Sequence, residues 1–318
     1  MVIPVSGPPR ERGEAVGRAH RDTISRLLAR RATPAAAVQP YAECVRRQLP
    51  TLAAEVAGLA AGSGIAEADA WWLQLRRELL AVPAGDCTTA AFAPAGLIGQ
   101  TVDLPPGLGD GLHALDIAAD GEVPAALVVT FAGLLGYLGI NAAGLAVGIN
   151  MVQSADWGVG VPPYLLVRAV LRCRGLDDAI QLLRTAPRAS SRVLTLLAGD
   201  AAVVVEMTAT ELRVTEAATV AMTNHFVHLD LAPRDTSDPA ARMESRLRRR
   251  RLQVRLAETG QDVAGLQRTL LDPAFQISGA APGGLATVAT VVSEPGRGRI
   301  HVRPRNGDWQ SITGSWAA

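Results

Sequence analysis

The chain has 318 residues, 48% of them hydrophobic, and a formal net charge of +1. This composition supplies a core for one large domain or two small ones, and the balanced charge gives no electrostatic case for nucleic-acid binding. All 31 basic residues are arginine, which excludes a lysine Schiff base or a lysine general base. We see no basic start followed by an apolar run, and no uninterrupted apolar stretch of about 18 residues. We therefore expect no secretory signal, no membrane span and a cytoplasmic location.

The first 86 residues are predicted to be helical. Apolar residues recur at helical spacing in residues 13–31, in 41–60 with a break at Pro50, and from Glu67 to Leu80. This pattern indicates a folded segment and not a disordered tail.

The remainder is predicted to mix strands and helices in stacked layers. Strands are predicted at 127–131, 144–151, 192–197, 202–207, 211–215, 287–293 and 299–303. Helices are predicted at 162–173, 176–183, 242–258 and 266–271, and the helix at 242–258 carries Met243, Leu247 and Val254 on one side. The segment 198–201 has the small and turn-forming residues of a hairpin.

Three cysteines are candidates for chemistry, and one of them differs from the others. Cys44 and Cys173 lie in helix-like stretches and are interpreted as small buried hydrophobes. Cys87 lies between Asp86 and Thr88, after a Pro-Ala-Gly turn at 83–85. Taken alone, Cys87 fits an ordinary half-buried thiol at the start of a strand better than a reactive one, because reactive thiols are a minority of free cysteines. Three cysteines do not suggest a disulfide framework.

Five motifs in order resemble the penicillin acyltransferase-like family, which includes the acyl-coenzyme A:6-aminopenicillanic acid acyltransferases. The motifs are Gly7-Pro8-Pro9-Arg10-Glu11-Arg12-Gly13 with Gly17, Leu73-Gln74-Leu75-Arg76-Arg77-Glu78-Leu79-Leu80 leading to Cys87, Gly99-Gln100-Thr101-Val102-Asp103, Gly139 to Asn150, and Met222-Thr223-Asn224-His225-Phe226. Each motif is weak alone, and their order carries the resemblance. The family belongs to the N-terminal-nucleophile (Ntn) hydrolases.

The resemblance implies an α+β fold, the Ntn αββα four-layer sandwich with two antiparallel sheets between helical layers. It also implies self-cleavage between Asp86 and Cys87. Residues 1–86 would form a small helical piece and residues 87–318 the catalytic piece, and the two would stay associated as one globular domain. Here Asp86 stands immediately before the cysteine, where the best-known members have glycine.

An N-terminal cysteine combines nucleophile and base, because its α-amine has a reference pKa near 8 and can accept the thiol proton. The resemblance assigns Asn224 to the oxyanion through its side-chain amide, and Asp103 to orienting the α-amine. Without the resemblance, Asn224 is as readily a turn residue as a catalytic one, and Asp103 is interpreted as an ordinary turn acid before Pro105-Pro106. Trp157, Tyr164 and Thr88 are weaker candidates for substrate binding, and Trp157 is as readily a packing residue.

Other polar features have plainer interpretations. Asn141 and Asn150 are interpreted as strand-end amides that bond local backbone. The arginine run at 246 and 248–251 is interpreted as a solvated helix face, with a carboxylate- or phosphate-bearing substrate or an acidic partner as the alternative. No spacing typical of metal ligands is present, so we expect neither metal nor cofactor.

The sequence therefore predicts an enzyme, an Ntn-type cysteine acyltransferase or amide hydrolase. It would form an acyl-enzyme on Cys87 and pass the acyl group to an amine or to water, with an acylated amine, an amino acid or an acyl-CoA-type compound as substrate. Its partners would be a small-molecule acyl donor and acceptor, with no nucleic acid and no membrane; a homo-oligomer stays open. The alternative is a non-catalytic or unprocessed relative that acts as a binding or scaffold protein.

Overall fold

The structure is a computed structural model that describes residues 1–29, 35–79, 87–105, 107, 109–279 and 284–317. Within these ranges the helices are α1 (Pro9–Ala19), α2 (Arg21–Leu28), α3 (Gln39–Gln48), α4 (Pro50–Ser63), α5 (Glu67–Gln74), α6 (Arg76–Leu79), α7 (Pro163–Val170), α8 (Leu176–Thr185), α9 (Pro239–Glu258) and α10 (Val263–Leu270). The strands are β1 (Val2–Val5), β2 (Thr88–Phe92), β3 (Leu97–Leu104), β4 (His113–Ile117), β5 (Ala126–Thr130), β6 (Leu138–Asn141), β7 (Leu145–Met151), β8 (Arg192–Ala198), β9 (Ala201–Met207), β10 (Leu212–Glu216), β11 (Thr219–Met222), β12 (Ala286–Glu294), β13 (Arg299–Pro304) and β14 (Gln310–Thr313).

The described strands form two sheets. One has the order β1-β4-β5-β6-β7-β8-β9-β10, and the other has the order β11-β2-β3-β12-β13-β14. Neighbouring strands run antiparallel, except that β1 lies parallel to β4.

The sheets pack face to face between helices. Helices α7 and α8 lie on the eight-stranded sheet, and α9 and α10 lie on the six-stranded sheet. The main apolar cluster fills the space between the sheets and extends under the N-terminal helices, while Phe92, Leu252 and Leu266 belong to a second cluster beneath α9 and α10. The predicted α+β fold with an αββα arrangement is confirmed.

The N-terminal segment differs in detail from the sequence prediction. The break at Pro50 is confirmed, but the helix predicted at 13–31 is two helices that part at His20. The segment also contributes β1, which the helical interpretation missed because four residues show too little alternation to identify a strand. The single helix predicted from Glu67 to Leu80 is likewise two helices, α5 and α6, which part at Leu75, and Leu80 lies outside the described residues.

Glycines of the first motif let α1 lie directly against α4. A Cβ atom on Gly13 would stand 1.9 Å from the carbonyl oxygen of Glu55, and one on Gly58 would stand 1.9 Å from the carbonyl oxygen of Arg10. These distances are far below van der Waals contact, so a larger residue at either position would push the helices apart.

Helix α9 does not bury the apolar residues that the sequence places on one of its sides. Its N-terminus is capped by Asp238, whose carboxylate accepts the N–H of Ala240 at 2.9 Å. Met243, Leu247 and Val254 are exposed, whereas Ser245, Leu252 and Leu256 are buried. The arginine run is divided as well: Arg246, Arg250 and Arg251 are exposed as predicted, but Arg248 and Arg249 donate inward to Asn224 and Ala221. The prediction of a wholly solvated face is therefore wrong for those two residues.

In the part of the chain described, no helix combines the length and apolarity needed to cross a membrane.

A buried histidine pair joins the N-terminal helices to the first sheet. The rings of His20 and His113 lie against each other with centroids 4.1 Å apart and planes tilted by 38°, and His113 Nδ1 lies 2.6 Å from the carbonyl oxygen of Gly111. Burial, with the neighbouring His20 ring adding to it, lowers the pKa of His113 to about 3, and burial also lowers the pKa of His20. The His113 ring therefore stays neutral in the folded protein at mildly acidic pH.

We predict that the pair makes the fold sensitive to acid. At pH values between the pKa of His113 in the unfolded chain, near 6.5, and its pKa in the folded chain, about 3, the unfolded chain binds a proton that the folded chain does not. The free energy of unfolding thus falls with decreasing pH, by about 1.4 kcal/mol per pH unit for each such proton. Urea unfolding of His113→Phe at neutral and at mildly acidic pH should show a smaller pH dependence than the wild type. His20→Phe should act in the same direction. An unchanged pH dependence in both variants would contradict this account.

Candidate active site

The thiol of Cys87 lies at the entrance to β2, buried between the sheets. The side chain is 3% exposed, and Sγ accepts the backbone N–H of Asp103 at an N–S distance of 3.4 Å. The carbonyl oxygen of Asp103 and the hydroxyl of Tyr137 each lie 3.9 Å from Sγ. The sulfur is thus surrounded by polar atoms while being shielded from solvent.

The hairpin of β2 and β3 creates this contact. Its register pairs Thr88 with Thr101, and the backbone N–H of Thr88 donates to Thr101 Oγ1 at 3.0 Å. Gly96 lies in the connecting turn with φ of +61°, a left-handed conformation that favours glycine. The hairpin therefore folds the chain back so that Asp103 returns to Cys87.

Asp103 is a buried strand residue and not an exposed turn acid. It is 1% exposed, and its carboxylate accepts the hydroxyls of Thr101 at 3.2 Å and Thr287 at 2.5 Å. Thr101 lies on β3 with Asp103, and Thr287 comes from β12, so two neighbouring strands fix the orientation of this carboxylate beside the thiol. The structure brings together two of the residues predicted for catalysis, Cys87 and Asp103.

Asn150 holds the backbone of Cys87. Its amide Nδ2 donates to the Cys87 carbonyl oxygen at 2.9 Å, and its Oδ1 accepts the hydroxyl of Thr89 at 2.8 Å. The prediction that Asn150 bonds local backbone is wrong, because these partners lie on the other sheet. Asn141 does bond local backbone, through the N–H groups of Ala143 and Leu145, and it also donates to the end of α7.

Asn224 lies next to this group without a direct contact to the thiol. Met222 pairs with Thr89, so extending the register by two residues sets Asn224 opposite Cys87. The amide Nδ2 donates to the Met151 carbonyl oxygen at 2.8 Å, and Oδ1 accepts from Arg248 at 2.8 Å. Met151 in turn lines the cavity at Cys87.

Two arginines and two tyrosines complete the cavity wall. Of these four, only Tyr164 was predicted from the sequence as a site residue. Arg77, Tyr137, Tyr164 and Arg192 line a space of about 10 Å³ beside Cys87, too small for more than one water. Arg192 pairs with Glu78 and donates to Ser190 Oγ at 3.1 Å. The only available signal was the charged Arg-Arg-Glu triplet inside an otherwise apolar helical pattern.

The remaining predicted residues lie at different distances from the thiol. Tyr164 lines the cavity, as noted, and its ring stacks on Tyr137 with centroids 5.5 Å apart. Trp157 lies behind Arg192, 5.7 Å from ring centroid to guanidinium carbon, and donates to Ser191 Oγ at 2.7 Å. Thr88 is fully buried, and among the described residues its Oγ1 finds no hydrogen-bond partner. Asp86 lies outside the described residues.

Electrostatics keep the thiol protonated. Burial, together with the negative charge of Asp103, raises the pKa of Cys87 to about 11. Burial likewise raises the pKa of Tyr137 well above its ordinary value and raises that of Tyr164. A proton acceptor close to the sulfur is therefore needed before this thiol can act as a nucleophile.

The other two cysteines lack such surroundings. Cys44 is buried as predicted, whereas Cys173 is half-buried, which corrects the interpretation of both as buried hydrophobes. Burial raises the pKa of Cys44, and it raises that of Cys173 to about 11. The contacts of its sulfur, and not a lowered pKa, therefore distinguish Cys87 from the other two cysteines.

Across the described ranges, no group of three or more His, Cys, Asp and Glu side chains is placed to hold a metal ion.

The sequence matches the model of one protein family, the acyl-coenzyme A:6-aminopenicillanic acid acyl-transferases. The match covers residues 93–301, which is 209 of 318 residues (301 − 93 + 1). The chain belongs to this acyl-transferase family. Asp103 and Asn224 lie inside the matched segment, which begins six residues after Cys87 (93 − 87). No curated protein matches the chain.

Two solved structures are similar to this chain in three dimensions. Penicillin V acylase from Agrobacterium tumefaciens is 10% identical with a TM-score of 0.47, and the match covers 71% of this chain and 86% of that protein. A variant of conjugated bile acid hydrolase from Clostridium perfringens is 12% identical with a TM-score of 0.48, covering 72% and 92%.

We predict that Asn224 and Asn141, both buried amides, differ in function. Asn224→Asp keeps an oxygen for Arg248 but removes the N–H donor, so turnover should fall by about 10²–10³-fold if that donor stabilises an oxyanion. Steady-state kinetics and a thermal melt measure the two effects separately.

Asn141→Asp is the matched control. It removes donors to Leu171 and Cys173 and should lower the melting temperature without selectively lowering kcat. Full activity in Asn224→Asp would assign Asn224 a purely structural role.

Proposed function

We propose that the protein is an autoprocessing Ntn-type cysteine enzyme that transfers acyl groups from an acyl donor to an amine or to water. The observation that carries this proposal is the contact of Cys87 Sγ with the backbone N–H of Asp103, at an N–S distance of 3.4 Å. Asp103 lines the same cavity as Cys87, and Thr101 and Thr287 fix its carboxylate. Membership of an acyl-transferase family supports the reaction class.

The first reaction is cleavage of the chain itself. Cys87 Sγ attacks the carbonyl carbon of Asp86, the peptide C–N bond breaks, and the thiol proton passes to the departing nitrogen. Water then hydrolyses the thioester, which leaves a carboxylate on residue 86 and a free α-amine on Cys87. Asn150 supports this step because it fixes the Cys87 peptide carbonyl.

The freed α-amine supplies the proton acceptor that the buried thiol needs. The amine, with a reference pKa near 8, takes the proton of Sγ, and the thiolate attacks the carbonyl of the acyl donor. The C–S bond forms, the bond to the leaving thiol or amine breaks, and the leaving group takes the proton. Attack of an amine or of water on the thioester then releases the product and regenerates the thiol.

Asp103 and Asn224 take complementary parts in this proposal. Asp103, held beside Sγ, orients the cationic α-amine through its carboxylate. Asn224 stabilises the oxyanion of the tetrahedral intermediate after its amide turns from the Met151 carbonyl. Tyr164 and Trp157 then shape the acyl side, Tyr164 directly and Trp157 through Arg192.

The two pieces should remain one domain after cleavage. Strand β1 of the N-terminal piece pairs with β4, and Glu55 forms a buried ion pair with Arg168 at 3.0 Å. Gln74 donates to the Gly133 carbonyl oxygen at 2.7 Å. Because the N-terminal piece also carries Arg77 and Glu78, its loss would open the wall of the site. All three cysteines are unpaired, and a reducing compartment such as the cytoplasm would keep Cys87 a thiol.

We predict self-cleavage at Asp86–Cys87. Purified protein should show two fragments by intact mass, the larger beginning with Cys87, because the thiol already lies within the polar surroundings needed for attack. The fragments should co-elute in size-exclusion chromatography. A single chain that persists under reducing conditions would refute the autoprocessing step.

We predict that only Cys87 is required among the cysteines. Cys87→Ala should give an intact, folded and inactive chain, and Cys87→Ser should cleave slowly and turn over poorly, since a hydroxyl is almost never ionised near neutral pH. Cys44→Ala should cost about 1 kcal/mol of stability by lost burial, and both Cys44→Ala and Cys173→Ala should cleave and acylate normally. Mass spectrometry after treatment with a thiol-directed acyl analogue should locate the label on Cys87. Label on Cys44 or Cys173, or turnover by Cys87→Ala, would contradict the assignment.

A further inference from the structure

An apolar groove opens where the chain passes from one sheet to the other. Strand β10 is the last strand of the eight-stranded sheet and β11 the first of the six-stranded sheet, so both are edges. The groove between them has a volume of about 490 Å³, and Val204, Ala217, Val220, Met222 and Leu229 form much of its wall. This volume lies within the range of about 300–1,000 Å³ that small-molecule sites occupy.

The groove wall continues to the candidate active site along one face of a strand. Side chains two residues apart in a strand share a face, so Val220 and Met222 form one row on β11, and Asn224 lies in a bend two residues beyond the end of that strand. Val220 and Met222 belong to the cluster between the sheets, whereas Ala221 belongs to the cluster under α9. Asn224 donates across to Met151 of the other sheet, which places it on the same inner face. The four residues from Val220 to Asn224 would span at most about 13 Å at the usual rise per strand residue.

The groove is apolar because its charged groups are already engaged. Glu206 is 2% exposed, and its two carboxylate oxygens accept the N–H groups of Val227 at 2.5 Å and His228 at 2.9 Å. Arg249 donates to the Ala221 carbonyl oxygen at 2.8 Å. The Glu206 contacts also fix the segment that carries Leu229, whose side chain is 85% exposed at the mouth. Leu229 thereby extends the apolar wall of the groove to its mouth.

We infer that this groove holds the apolar chain of a medium-length or long acyl group. Resting on the proposed function, the carbonyl carbon of the acyl group would lie at Cys87 and Asn224, and the hydrocarbon would follow Met222 and Val220 to Leu229. The space beside the thiol, about 10 Å³, has no room for such a chain, whereas the groove has. The inferred substrate class is therefore acyl donors with an unbranched hydrocarbon chain in preference to acetyl donors.

Binding of a fluorescent fatty acid tests this site independently of catalysis. Titration of the full chain with cis-parinaric acid, whose emission rises in apolar surroundings, should show saturable binding. Ala217→Trp fills the groove at a half-buried position, and Leu229→Asp places a charge at its mouth. Each should weaken binding by at least about tenfold, because returning two methylenes to water already has that effect. Agreement between the two variants guards against misfolding of either one.

The matched control is Leu247→Asp. Leu247 is 51% exposed and lines a different groove, with Val254 and Arg250 on the outer face of α9. It should leave binding unchanged. Binding that is absent, that is unaffected by both groove variants, or that is weakened by Leu247→Asp instead would overturn the inference.

Turnover then separates this inference from the proposed function. In the wild type, an octanoyl anilide should be preferred to an acetyl anilide, and Ala217→Trp should remove that preference by lowering octanoyl turnover. Acylation of Cys87 without any chain-length preference would leave the proposed function intact and refute the groove assignment. Fatty-acid binding without self-cleavage or acylation of Cys87 would support the groove assignment and refute the proposed function.

Discussion

The site depends on the register of one hairpin. Pairing Thr88 with Thr101 brings the Asp103 N–H to 3.4 Å from Cys87 Sγ, and Thr88 and Thr101 lock that pairing through a side-chain bond. A shift by one residue would turn every side chain of the strand to the opposite face, sending the Asp103 carboxylate towards the helices. One residue from each sheet holds this pair in place. Asn150 of β7 donates to the Cys87 carbonyl oxygen, and Thr287 of β12 donates to the Asp103 carboxylate.

Buried charges connect the N-terminal piece to the rest. Glu55 with Arg168, and Glu78 with Arg192, are ion pairs whose side chains are at most 3% exposed. Such pairs add little net stability, but removing one partner typically costs about 3–5 kcal/mol because a charge stays buried alone. They therefore favour one docked position for the N-terminal helices, the position that brings Arg77 to the cavity wall.

The surroundings of the thiol suit a chain that activates itself. A buried sulfur whose pKa is raised to about 11 is a poor nucleophile, and the cavity of about 10 Å³ beside it is too small for an acyl chain. A free α-amine would provide a base within the same residue. The apolar groove at the sheet edges offers the volume that the cavity lacks, so chemistry and recognition of the hydrocarbon would occupy separate but adjoining places.

The sequence by itself determined the fold class, the helical start, the break at Pro50, the long buried strand β7 and the family, because these rest on local periodicity or on motifs in order. It also singled out Cys87 and Asp103, which the tertiary structure places in contact. Tertiary structure alone decided the partners of Asn150, the inward turn of Arg248 and Arg249, and the exposure of Met243, Leu247 and Val254. Short strands such as Thr88–Phe92 carry too few residues to show a period, and a helix with apolar residues on several sides can bury any of them. Contacts between residues far apart in sequence depend on how the sheets pack, which no local pattern records.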